Sequence, residues 1–112
     1  MDDVLSLGVS KCKYLLFIGS VGSLVEEINI GDLVIPIYSI CGDVASRYLN
    51  ENLEDDFGKR QESNKNLTQL LIKHIQNISN EENVKYHNAV NFSVDTVFGQ
   101  FPHIDTIKDM GA

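Results

Sequence analysis

The residues best suited to chemistry form a short glycine-rich turn, Gly19-Ser20-Val21-Gly22-Ser23, set directly after the apolar run 14–18. Glycine lets a backbone approach a ligand closely, and successive N–H groups in such a turn form a concave nest for an anion. Ser20 adds a hydroxyl able to hold a phosphate oxygen or a water. The same turn serves packing alone in many proteins, as a tight loop without a ligand. Elsewhere the polar signals are sparser. Ser93 and Asp95 are of the types that cap a following turn. His74 falls on an apolar helical stripe and reads as a core or boundary histidine, whereas His87 and His103 have no partner pattern. Cys12 and Cys41 show neither a disulfide framework nor metal-ligand spacing and read as reduced thiols, so no metal is implied.

The elements that must position these residues alternate along the chain. Val4, Leu5 and Leu7 followed by Gly8 read as the last turns of a helix with a glycine stop. The continuous apolar runs 14–18 and 33–40 are those of strands buried on both faces, with Pro36 marking a bulge or an unpaired edge. A loose alternation over 86–92 gives a third strand. Residues 50–66 are polar and acidic and read as a surface excursion. Leu67, Leu70, Leu71, Ile75 and Ile78 then recur with helical period. Ile104, Ile107 and Met110 follow Pro102 as a short helix stripe closed by Gly111. Alternating strands and helices predict an α/β class with a partly parallel sheet. Three strands make a thin sheet of that kind, and the chain reads as cut at both ends.

Composition narrows the partners. The 112 residues suffice for one core, and 43% hydrophobic with 22% charged residues is ordinary for a globular protein. Nine basic against sixteen acidic residues give a net charge of −7, which repels nucleic acid. The longest apolar stretch is short, is broken by glycines and lacks a basic leader, so neither a membrane span nor a signal peptide is expected. The expectation is a soluble, cytoplasmic protein.

Two glycine motifs at their mutual spacing carry a family resemblance. Leu16-Phe17-Ile18-Gly19-Ser20-Val21-Gly22-Ser23-Leu24 and Ile30-Gly31-Asp32-Leu33-Val34-Ile35-Pro36 resemble the signature of the nucleoside phosphorylase/nucleosidase superfamily. Cys41-Gly42-Asp43-Val44-Ala45-Ser46-Arg47-Tyr48 is similar to its R-x-E-G-x-S-x-Y segment, with Cys41 in place of Arg and Val44 in place of Gly. Ser93-Val94-Asp95-Thr96-Val97-Phe98 is similar to its S-x-D-x-F strand end, with Val97 where a stacking Phe stands. The resemblance implies part of a three-layer α/β/α phosphorylase-like fold with a mixed central sheet, spanning 1–112 as a partial domain.

The implied activity is cleavage of the N-glycosidic bond of a nucleoside, of purine type, by phosphorolysis or hydrolysis. The partners would be a small-molecule nucleoside with phosphate or water, no cofactor beyond phosphate as a possible co-substrate, and a homo-oligomer in the full-length form. Gly19, Ser20, Val21 and Gly22, with Val97 and Phe98, are the expected substrate-binding residues. Phosphorylases of the nearest branches carry an Arg two residues before the turn glycine; Phe17 offers neither charge nor bidentate geometry, which tilts the expectation toward water. The family's acidic E-M-E strand would begin beyond Ala112, and its N-terminal glycine-rich strand before Met1. No catalytic residue is therefore assigned, and the chain alone is expected to be inactive. The competing readings are a non-catalytic or decayed nucleoside-binding or storage-type relative, and an unrelated α/β module.

Overall fold

The computed structural model describes residues 13–45, 48, 53 and 56–112. Strand β1 (Leu33–Ile40) and β2 (Arg60–Glu62) are followed by helix α1 (Lys65–Glu82) and strand β3 (Tyr86–Phe92). A 3-10 turn (Phe101–His103) then leads into helix α2 (Ile104–Asp109). The sheet order is β2-β1-β3. β1 runs parallel to β3 from Leu33↔Tyr86 to Ile40↔Phe92, and antiparallel to β2 from Tyr38↔Glu62 to Ile40↔Arg60. The architecture is α/β with a mixed sheet, as the alternation of elements predicts.

Branched apolar residues make β1 the central strand, and its two most buried side chains, Ile35 and Ile40, join Ile107 of α2 in the core. Pro36 has no N–H for the ladder, and the register shifts between Pro36 and Tyr38. The expected bulge is there. α1 begins where the Asn64 side chain accepts the Leu67 N–H at 3.0 Å, and ends at Asn83, whose left-handed backbone (φ 55°) asparagine tolerates better than most residues. At the far end of the chain, α2 closes on Gly111, whose φ of 103° is costly for any other residue. The expected glycine stop is in place.

Four expectations are corrected. The run 14–18 is not a strand: its side chains are between 54% and 84% exposed, and no strand pairs with it. Apolar character suits a buried strand, but a strand forms only where a neighbour supplies backbone partners, and both edges of β1 are already taken in its second half. The excursion 50–66 contains β2 and the cap of α1; β2 escapes notice because Arg-Gln-Glu lies exposed at a sheet edge and shows no apolar alternation. His74 is exposed rather than at the core or its boundary, because α1 sends Leu71, Ile72 and Ile75 inward instead, leaving Leu70 and Ile78 half exposed. His87 does have a partner, in Asp32. The expected helix ending at Gly8 lies outside the described residues.

Candidate functional site

Two segments leave the carboxyl edge of the parallel pair, Cys41 to Val44 after β1 and Ser93 to Phe98 after β3. They are clasped together by side chains some fifty residues apart. Ser93 Oγ donates to the Asp43 carboxylate, and Gly42 N–H donates to Ser93 Oγ at 3.2 Å. Asp95 Oδ2 accepts the Val44 N–H at 2.7 Å. Ser93 N–H continues the ladder onto the Ile40 carbonyl at 3.0 Å. Gly42 sits where a Cβ would overlap both the Phe92 ring and the Ser93 carbonyl oxygen, so the crossing requires glycine. Asp95 thus caps the opposite loop; its own turn is held by Thr96 Oγ1, which accepts the Gly99 N–H at 3.2 Å.

A third segment closes beneath the clasp. Gly58 N–H donates to the Cys41 carbonyl at 2.7 Å, and Cys41 N–H to the Lys59 carbonyl at 3.0 Å. Phe57 meets Phe92 edge to face with ring centres 6.3 Å apart. A cavity of about 160 Å³ remains between them, lined among others by Cys41, Asp43, Asp56, Lys59 and Ser93. Several of its polar groups are engaged with one another, as in the Lys59–Asp56 ion pair at 2.6 Å. A larger hollow of about 390 Å³ lies between β1 and the first turns of α1, against Ile37, Tyr38, Ser63, Thr68 and Ile72.

The residues expected to bind substrate line neither hollow. Gly19, Ser20, Val21 and Gly22 are exposed in irregular chain. A Cβ at Gly22 would meet nothing within 4 Å, and one at Gly19 only the Phe17 ring at 3.1 Å. Neither glycine has a left-handed φ. Val97 and Phe98 are 64% and 80% exposed in the turn after the clasp, with the Phe98 ring 6.3 Å from that of Phe101. Of the neighbouring block, Tyr48 is exposed and Ser46 lies outside the described residues.

The second glycine motif works at the opposite, amino edge. Gly31 takes a φ of 96°, which lets the turn close with Asp32 N–H donating to the Asn29 carbonyl at 3.1 Å. The Asp32 carboxylate accepts the Asn29 N–H at 3.0 Å and lies 2.9 Å from His87 Nε2. The Asn29 N–H, then the His87 hydrogen bond, hold the Asp32 carboxyl below its ordinary pKa, with partial burial opposing and the Lys85 charge assisting. Asp32 therefore ties the start of β1 to the start of β3, remote from the clasp. Sequence reasoning missed this pair because nothing local announces a bond spanning 55 positions.

Among the described residues, no His, Cys, Asp and Glu group could hold a metal ion, and no helix is long and apolar enough to cross a membrane. Neither the curated proteins nor the solved structures give a significant match to the chain. One family model does, that of the phosphorylase superfamily, over residues 3–103, a span that takes in both glycine motifs, the clasp and the Val97-Phe98 turn. Over nearly its whole length, then, the chain belongs to the phosphorylase superfamily.

Proposed function

We propose that this chain binds purine-type nucleosides as part of a machinery that cleaves their N-glycosidic bond. The observation that carries the reading is the exposed apolar turn of Val97 and Phe98, fixed by the clasp at the carboxyl edge of the parallel strands. Ligands of open α/β sheets gather at that edge, and an apolar, partly aromatic surface suits a flat base. Gly19 and Gly22 fit the same reading. Neither has a left-handed φ, a Cβ at Gly22 would meet nothing within 4 Å and one at Gly19 only the Phe17 ring, which can turn, whereas close approach of a ligand to the backbone favours glycine at both. Water is the favoured nucleophile, because the Phe17 ring lies against Gly19 where a phosphate dianion would want a cation.

The test is titration of the purified chain with inosine, adenosine, methylthioadenosine and uridine by calorimetry, alongside assay of free base with and without phosphate. Saturable binding that prefers purines, is abolished by Val97→Asp and is indifferent to phosphate supports the proposal. Absence of binding to all four at millimolar concentration overturns it. Release of free base without phosphate would support cleavage by water, and release that requires phosphate would overturn it.

A further inference from the structure

We infer that β2 is a self-pairing edge, through which two copies of this chain join their sheets around a two-fold axis at Gln61. β2 is the outermost strand on its side, and Arg60, Gln61 and Glu62 are all exposed. The direction of its backbone groups follows from the ladder. Cys41 N–H donates to the Lys59 carbonyl, so with the register Ser39↔Gln61 the residues that face β1 are Lys59 and Gln61. β1 agrees, since the Ile40 carbonyl, opposite Arg60, is taken by Ser93 beyond the far edge. Arg60 and Glu62 therefore aim their N–H and C=O groups outward, where no described strand receives them.

The side chains select the partner. Read in reverse, Arg-Gln-Glu becomes Glu-Gln-Arg, so an antiparallel copy centred on Gln61 sets Arg60 opposite Glu62 twice. Each such pair exchanges two backbone N–H···O bonds and brings opposite charges directly across from one another. The contact is isologous and closes at two copies, as a two-fold requires. An unrelated strand would have to reproduce this charge order. Both charged side chains lie on one face of β2, engaged only at the surface: Arg60 rests over the Tyr38 ring at 4.7 Å, and Glu62 lies 3.7 Å from the exposed Lys65 ammonium. The net charge of −7 opposes association in general, which makes the local complementarity the deciding contribution.

The competing view is that Arg60 and Glu62 are guard charges that keep the edge unpaired. Sedimentation of the full chain from micromolar to millimolar concentration separates the two. Self-pairing predicts a reversible monomer–dimer equilibrium. Arg60→Glu, which sets like charges across both pairs, should weaken it on the order of tenfold, and the swap Arg60→Glu with Glu62→Arg should restore it. Gln61 faces its own copy at the closely spaced, non-hydrogen-bonded position, so Gln61→Cys should form a disulfide-linked dimer under mild oxidation beyond any formed by the unsubstituted chain. A monomer across the whole range, an association indifferent to Arg60→Glu, or failure of the swap to restore it in a variant of native circular dichroism would overturn the inference.

Discussion

Replacing Gly42 by alanine tests whether the clasp at the carboxyl edge is a fixed piece of the fold. The added methyl would overlap the Phe92 ring, which can turn, and the Ser93 carbonyl oxygen, which is backbone of a residue whose N–H is held on the Ile40 carbonyl. Overpacking of this kind costs about 1–3 kcal/mol, and separating the two segments also strains the Gly42 N–H to Ser93 Oγ bond, whose loss adds about 0.5–1.5 kcal/mol. The sum, about 1.5–4.5 kcal/mol, is a large fraction of what a small domain possesses. At roughly 4–8 °C per kcal/mol for a domain near this size, the midpoint of a thermal melt followed by circular dichroism should fall by roughly 6–36 °C. Gly22→Ala is the matched control, because a Cβ there meets nothing within 4 Å and should leave the melt nearly unchanged. A Gly42→Ala protein melting alongside the parent, or a Gly22→Ala protein that is the less stable of the two, would refute the reasoning.

Two further substitutions follow from the fold. Because hydrogen bonds hold the folded Asp32 pKa below its unfolded value, the carboxylate contributes stability that is present above the ordinary carboxylate range and lost as pH falls through the lowered folded value. Asp32→Asn should therefore lower the urea midpoint near neutrality, with the gap from the parent closing below about pH 4; an unchanging gap across the acid range would contradict it. Asn64→Ala removes the side-chain acceptor of the Leu67 N–H and should cost about 1 kcal/mol in urea unfolding, with Asn64→Asp preserving the cap.

What was legible in the sequence is what local pattern can encode. β1 appears as a branched apolar run after a turn signal and β3 as a loose alternation, and their limits in the structure are the expected ones. α2 and its glycine stop are equally local, as is the bulge at Pro36. β2 was not legible, because a three-residue edge strand with both faces in solvent carries no periodicity. Residues 14–18 were misread for the opposite reason. Hydropathy records that a segment prefers burial, while pairing depends on a partner elsewhere. The bonds of Asp32 with His87, Ser93 with Asp43, and Asp95 with Val44 each join residues at least fifty positions apart, and a register no local signal fixes decides them.

Knowing those bonds changes what the motifs mean. Asp32, Asp43, Ser93 and Asp95 all fall in segments that resemble a ligand-handling family, yet each has a structural task that accounts for its type. Gly31 and Gly42 are likewise explained, one by its φ and the other by the crowding around its missing Cβ. Once these are set aside, the motif residues left without a structural task include Ser20, Val21 and Gly22 in one segment and Val97 and Phe98 in the other, all exposed, beside the exposed apolar residues Leu16, Phe17, Ile18 and Ile30. A glycine required neither by its dihedrals nor by its neighbours, and a large apolar side chain left in water at a sheet's carboxyl edge, are both costs to a fold considered alone. Contact with a ligand removes both costs. The exposed remainder is therefore where binding should be sought, and the clasp is the part that holds the Val97-Phe98 turn in place.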